Sequence, residues 1–356
     1  MNTKELLVSL SNVFGPAGFE DEVRSLIKEL IEGFVDEVHE DTSGNLITIK
    51  RGTSNQKVML DAHMDEVGLV ISHIQSPFLK FQLLGGWDAR LLPGQKVLIK
   101  TRSGNKISGV IGTIPPHVQT QEEMRKVFEV HDLFIDVGAT SEEELLLKGI
   151  TVGDPAVVFS PAELTGEDTV IGKAFDDRAG CAVLIKLLER LKNSKLPYDL
   201  YTVFATGEEL GLRGAKVSAY NVDPDFSLSL EGTIAVDNPN ISPYKQPSHL
   251  GKGPVITIVD RSIVVNQKVV MFFEEVAKRN SIPYQYKTPI FGSTNAGVIH
   301  LERGGVLCGV IAVPVRYIHS PLSIVKVADF EYTVDLLYNI LIELPGTGFL
   351  NKKLRL

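Results

Sequence analysis

Residues 57–63 read KVMLDAH, a run in which apolar side chains do not alternate with polar ones. A strand of that kind cannot leave one face in water, and it needs cover on both sides. Segments of helical period supply the cover. In FEDEVRSLIKELIEGF, from Phe19, the side chains of Val23, Leu26, Ile27, Leu30, Ile31 and Phe34 fall on one stripe. AGCAVLIKLLERLKN, NQKVVMFFEEVAKRN and ADFEYTVDLLYNILIEL read as further helices, the last with Phe330, Val334, Leu337 and Leu341 turned inward. NLITIK, DLYTVFAT, DFSLSLE and GVLCGVIAVP read as strands. Alternation of this kind predicts a three-layer α/β/α domain.

The texture changes between residues 67 and 165. Short β-rich pieces broken by turn signals replace the long elements, as in PGQKVLIKTRSGNKISGVIGTI, where Ser-Gly-Asn separates two strand-like runs. We therefore expect a discontinuous main domain, residues 1–66 and 166–356, interrupted by a small β-rich, barrel-like domain over 67–165. With 44% hydrophobic and 22% charged residues over 356 positions, the composition suits a soluble protein of two domains.

The net charge of −8 supplies no basic patch for phosphates, which excludes nucleic acid as an expected partner. The longest apolar run, GVLCGVIAVPV, is about half of what a bilayer crossing needs, so no membrane association is expected. The first residues, MNTKELLVSLSNVFG, read as an amphipathic helix rather than a signal peptide. Cys181 and Cys308, the two cysteines, lie in apolar stretches and suit a reducing, cytoplasmic setting.

At five strand ends or strand-following turns the chain places His, Asp or Glu, which is where open α/β sheets gather ligands. They are His63 and Asp65 in LDAHMDEVG, Asp176 and Asp177 in GKAFDDRAG, Glu208 and Glu209 in TGEELG, Glu231 in SLEGTIAVDNP, and His319 in RYIHSP. Imidazole and carboxylate without thiolate make a ligand set for catalytic Zn²⁺, Co²⁺ or Mn²⁺ rather than for a closed structural zinc. A pair of cations about 3.5 to 4 Å apart needs a bridging carboxylate, and an Asp-Asp pair opening a helix can supply one. His63 and Asp65, two apart on extended chain, project to one face, where the Asp can accept the proton of the other ring nitrogen. Adjacent Glu208 and Glu209 cannot share one geometry. One is expected to bind metal and the other to take a proton from the attacking water.

The ordered set HMDEVG, GKAFDDRAG, EELGLRGA, EGT…DNP, FGSTNAG and RYIHSP resembles the M42 metallopeptidases, the glutamyl aminopeptidase and tetrahedral aminopeptidase group, over nearly the whole chain. The resemblance implies a di-metal domain interrupted by a dimerisation domain, with dimers assembling into a tetrahedral dodecamer. It further implies that His63 and Glu231 hold one divalent ion, that Glu209 and His319 hold the other, and that Asp176 bridges them. Glu208 would be the general base, and Asp177 would follow Asp176 through a cis peptide. Glu231 and Asn295 stand where many members have Asp.

The function so implied is removal of N-terminal residues from peptides through attack of a metal-bound hydroxide. The same site suits other di-metal amide hydrolases, deacylases or carboxypeptidases. Glycoside hydrolysis, which paired acids invite, leaves the two histidines without a role. Arg178 and Arg316, beside the candidate ligands, are expected to pair with the excess carboxylates. His117, in TIPPHVQ, is expected to support a turn or a subunit contact.

Overall fold

The structure, a computed structural model, describes residues 1–288 and 290–351. Two helices open the chain, α1 (Thr3–Asn12) and α2 (Asp21–Leu30). Asn2 starts α1: its side chain accepts the Glu5 N–H while the Glu5 carboxylate accepts that of Asn2, so two amides left unpaired by a helix start are satisfied. α2 is shorter than its apolar stripe. Its regular turns stop at Leu30, and Ile31 and Phe34 reach the core from the turn that follows, which Gly33 closes at φ 73°.

Strands β1 (Glu37–Glu40), β2 (Leu46–Lys50) and β3 (Lys57–His63) come next. Then β4 (Gly68–Gln75), β5 (Phe78–Leu84), β6 (Lys96–Lys100), β7 (Lys106–Gly112), β8 (Phe134–Asp136) and β9 (Pro155–Val158) form a closed barrel in the order β4-β5-β8-β7-β6-β9. The turn around Gly104 joins β6 to β7 as an antiparallel hairpin, at the place where the sequence carries Ser-Gly-Asn. Leu69, Ile71, Phe81, Val97, Ile99 and Ile135 fill the barrel interior. A short helix, α3 (Glu142–Leu147), lies between β8 and β9 in the chain.

Beyond the barrel come β10 (Glu163–Leu164), β11 (Thr169–Gly172), α4 (Phe175–Leu191), β12 (Asp199–Ala205), α5 (Arg213–Val222) and β13 (Phe226–Ala235). The chain continues through β14 (Val255–Thr257), α6 (Gln267–Arg279), β15 (Gln285–Lys287), α7 (Ala296–Ile299), β16 (Leu307–Arg316), β17 (Ser323–Lys326) and α8 (Val327–Glu343). The large sheet runs β1-β2-β12-β3-β13-β16-β17-β11-β10, with β14 paired to β16 and β15 to β14. Its centre, β12, β3, β13 and β16, is parallel. β16 is buried along nearly its whole length, as its unbroken apolar run requires.

From β11 the chain crosses the sheet through α4 to β12 in one direction, whereas from β12 it passes through α5 to β13 in the other. Right-handed crossovers then put α4 and α5 on opposite faces. α4 packs with α1 and α8, and α5 with α7, which makes three layers. The crevice between the C-terminal ends of β3 and β12 is the switch point where such sheets take ligands. No helix among the described residues is long and apolar enough to cross a membrane.

Candidate metal centre

The five places singled out in the sequence converge on that crevice. His63 is the last residue of β3, Glu208 and Glu209 follow β12, Glu231 lies on β13, His319 follows β16, and Asp176 and Asp177 open α4. The Asp176–Asp177 peptide is cis, and both residues depart from helical dihedrals before the regular turns begin. Gly232 lets this segment approach β13: a Cβ there would lie 2.3 Å from the Phe175 carbonyl oxygen and 3.0 Å from Asp176 Cα. The missing side chain thus puts the Asp176 carboxylate beside Glu231.

Asp176 is the hub. Its Oδ1 lies 3.3 Å from His63 Nε2 and its Oδ2 lies 3.3 Å from His319 Nε2. Glu209 Oε1 is 3.1 Å from the same His319 nitrogen, and Glu208 and Glu231 each approach His63 Nε2 to 3.9 Å. Two His-containing groups therefore share Asp176, one with Glu231 and one with Glu209, and in each the donor atoms lie within 4.8 Å of one another.

Both imidazoles are committed at their other nitrogen. His63 Nδ1 is 3.2 Å from the Asp65 carbonyl oxygen and 3.3 Å from Asp65 Oδ1, and His319 Nδ1 is 2.9 Å from the Gly86 carbonyl oxygen. A ring that donates from Nδ1 can face a carboxylate through Nε2 in two ways, as an imidazolium with a proton between them or as a neutral ligand with a metal cation between them. Spacing agrees with an ion in that place, because two ligand atoms about 2.0–2.1 Å from one tetrahedral cation lie about 3.3 Å apart. The donor chemistry fits a pair of divalent ions, with His63, Glu231 and Asp176 around one and His319, Glu209 and Asp176 around the other.

Asp65 does more than the two-residue spacing predicts. Its carboxylate accepts the backbone N–H of Glu208 and of Glu209, each at 3.0 Å, so it fixes the turn carrying both acids as well as standing beside His63. It is fully buried.

Burial and crowding set the charges. Burial, with the carboxylates of Glu209, Asp176 and Asp65 and against the pull of His63, pushes Glu208 up to about 8. Burial also raises Glu209, and it raises Glu231 and Asp177 well above the carboxylate range. For Asp176 burial acts upward too, but its hydrogen bonds with His319 and His63 prevail and hold it below the usual range. Burial alone would lower His319, yet Asp176 and Glu209 push it up to about 11. The carboxylates outnumber the imidazoles, which makes the cluster a sink for positive charge.

The two flanking arginines are paired, as expected. Arg178, fully buried, donates to the carbonyls of Met64, Leu10 and Gly15 and to Glu66, and Arg316 binds both Asp237 oxygens at 2.5 Å. His117 is exposed, in the segment between β7 and β8. Two buried clusters were not singled out in the sequence. Lys173 reaches both Glu66 oxygens at 2.6 Å, and Asp61 accepts from Ser229 at 2.5 Å and from Asn295 Nδ2 at 2.7 Å. Burial pushes Asp61 up to about 6 despite those two donors. The Asn295 N–H meets Glu231 Oε1 at 3.4 Å, so Asn295 ties Asp61 to the metal centre. Beside the carboxylates opens a cleft of about 400 Å³, walled in part by Thr233, Ile234, Phe291 and Ile318.

The sequence profile of the M42 glutamyl aminopeptidase family matches residues 44–336. A putative aminopeptidase of Acetivibrio thermocellus is 39% identical over 94% of this chain and 96% of its own length. The lysyl aminopeptidase of Pyrococcus furiosus is 31% identical over 97% of this chain and 98% of its own. Among solved structures, a TET aminopeptidase from a marine sediment Thaumarchaeota archaeon superposes with TM-score 0.94 at 40% identity, covering 98% of both chains. The TET1 peptidase of Pyrococcus horikoshii, described as able to assemble into a tetrahedron or a large octahedral shell, gives TM-score 0.87 at 31% identity over 96% of this chain and 99% of that one. A Thermotoga maritima protein described as an endoglucanase gives TM-score 0.79 at 36% identity over 97% of this chain and 98% of that one.

Proposed function

This chain belongs to the M42 peptidase family and is a peptide hydrolase, and from that premise we propose that it is a metal-dependent aminopeptidase that removes single residues from free peptide N termini. The observation that carries the reading is the Asp176 carboxylate, divided at 3.3 Å between two imidazoles whose other nitrogens are already held.

His63 and Glu231 would hold one divalent ion, Glu209 and His319 the other, and Asp176 both. Bound there, the ions would polarise the scissile carbonyl and acidify water. The rest falls to the chain. Glu208, lifted toward neutrality by burial and its acidic neighbours, accepts a proton from the attacking water and passes it to the departing amine nitrogen. Asp65 keeps Glu208 and Glu209 from turning away, because it holds both of their backbone amides. Zn²⁺, Co²⁺ and Mn²⁺ all accept this donor set.

The relatives' names carry side chains of both charges, lysyl and glutamyl, and leave the preference of this chain open. Glycoside hydrolysis fits poorly. It needs two carboxyls facing each other across about 5 to 9.5 Å of substrate, whereas these acids are gathered around imidazoles with donor atoms within 4.8 Å. The domain reading also stands as a proposal: residues 1–66 and 166–356 form the catalytic domain, and 67–165 the unit through which copies pair. By analogy with the TET1 peptidase we assign a homo-oligomer built from such dimers, up to a tetrahedral dodecamer, working in the cytoplasm.

The test is a panel of short peptides with free or acetylated N termini, incubated with metal-loaded protein and with a chelator control. Release of the first residue from free N termini alone, abolished by chelation, is expected. Equal cleavage of the acetylated set would move the activity to a deacylase or an endopeptidase.

A further inference from the structure

Glu20 stands immediately before α2, at a position where a short polar side chain usually caps the helix, yet its carboxylate makes no capping bond to α2. It is 5% exposed, and its Oε1 accepts the N–H of Gly18 at 2.9 Å and that of Gly207, 187 positions away, at 3.0 Å. Burial, and after it the charge of Asp65, raises the Glu20 carboxyl above its ordinary range. A carboxylate buried at that cost, and not capping its own helix, serves another element.

That element is the turn after β12. Four successive amides there are accepted by side chains from three distant places: Thr206 N–H by Asn45 Oδ1 at 2.9 Å, Gly207 N–H by Glu20, and the N–H of Glu208 and of Glu209 by the two oxygens of Asp65. The carbonyls of Thr206, Gly207 and Glu208 are held from the other side by backbone amides of residues 211–214. Gly207, at φ 59°, is the residue of these four whose backbone swings most freely, and its two dihedrals are set by the peptide planes on either side. Glu20 fixes the plane before it and Asp65 the plane after. Without Glu20 the Gly207 N–H, which is buried, loses its acceptor, and the turn relieves that loss by rotating. The side chain carried round by such a rotation is Glu208.

We propose that Glu20 is a positioning residue: by holding the Gly207 amide it keeps the Glu208 carboxylate in place for proton transfer. This rests on the reading of Glu208 as the proton acceptor of an aminopeptidase. Asp65 also stands beside His63, and Asn45 also binds Gly214. Glu20, among the described residues, hydrogen-bonds to the turn at Gly207 alone, so its substitution reports on the turn without altering a residue of the metal centre.

The experiment measures kcat, KM and metal content of Glu20→Leu, which keeps the volume and lacks the acceptor, and of Glu20→Gln, whose amide oxygen can accept the same N–H. Thermal unfolding checks that each is folded. Glu20→Leu is expected to lower kcat about 10- to 100-fold while KM and metal content hold, and Glu20→Gln to keep most of kcat. In a Glu208→Gln background, Glu20→Leu should cost less than about twofold more, because the group it positions is already gone. Wild-type kcat in folded Glu20→Leu overturns the assignment, as does loss of kcat in folded Glu20→Gln. An equal fold-loss in both backgrounds also overturns it, since a merely structural effect acts regardless of Glu208. If Glu20→Leu does not fold, Glu20→Ala takes its place under the same criteria. If the wild type cleaves no peptide, the aminopeptidase reading fails by itself. Hydrogen exchange then still decides whether Glu20 holds the turn: faster exchange over residues 206–209 in the variant, with the barrel unchanged, supports it, and unchanged exchange overturns it.

Discussion

The barrel and the parallel sheet use the same strand-forming residues to opposite ends. Inside the barrel, Leu69, Ile71, Phe81, Val97, Ile99 and Ile135 fill a closed interior with apolar side chains. At the C-terminal edge of the parallel sheet, His63, Asp65, Asp177 and Glu231 are buried just as deeply, yet all of them are titratable. Topology accounts for the difference. A closed antiparallel barrel alternates its strand directions, so its loops divide between two rims. Parallel strands all end at one edge, and crossovers leaving on opposite faces part there to make a crevice. Charges gathered in that crevice are tolerated because each finds a partner, or an ion, among the others.

The contrast is tested most strongly by Glu208→Gln. Turnover should fall by about 10²- to 10⁴-fold while metal content holds, since the amide cannot take the proton although the donors around Asp176 remain. Activity near the wild-type level would rule out Glu208 as the proton acceptor. In the barrel, Ile135→Ala removes a fully buried side chain and should cost about 2–5 kcal/mol of stability, read from denaturant unfolding. Loss of metal from the folded variant would show that the packing of the barrel interior also shapes the metal centre.

They do meet at one loop. Gly86, just past β5, accepts the Nδ1 hydrogen of His319, and a Cβ there would sit 3.0 Å from that nitrogen. Gly86→Ala should therefore weaken one of the two metal positions by about 10- to 100-fold, measured by metal titration. Unchanged affinity would mean that the barrel contributes nothing to the centre. The smallest effect expected is in pH. Glu209 and Glu231, raised by burial, and His319, pushed up to about 11 against its burial by Asp176 and Glu209, hold protons that divalent ions must displace on binding. Metal affinity should rise with pH from 6 toward about 8, with protons released on binding. Titrations in buffers of different ionisation enthalpy would detect the release, and its absence would contradict the charge arrangement.

The strand ends carrying titratable groups were legible in the sequence because each sits beside an apolar run whose burial the pattern already demands. The pairings of Arg178 and Arg316 follow from the excess of acids near them. Lys173 with Glu66 and Asp61 with Asn295 were not legible. Their partners are 107 and 234 positions apart, and only the packed sheet brings them together. The Gly86 hydrogen bond uses a backbone carbonyl, which no residue type announces. Asp65 was legible as a neighbour of His63 but not as the acceptor for two amides, which arise from a turn 143 positions later.

The central claim is that Asp176 holds two cations at once. Metal content per chain, measured by mass spectrometry on dialysed wild type and Asp176→Asn together with a check that both are folded, tests it most directly. Two divalent ions per wild-type chain and a deficit at both positions in the variant are predicted, and a folded variant that keeps two ions would contradict the account.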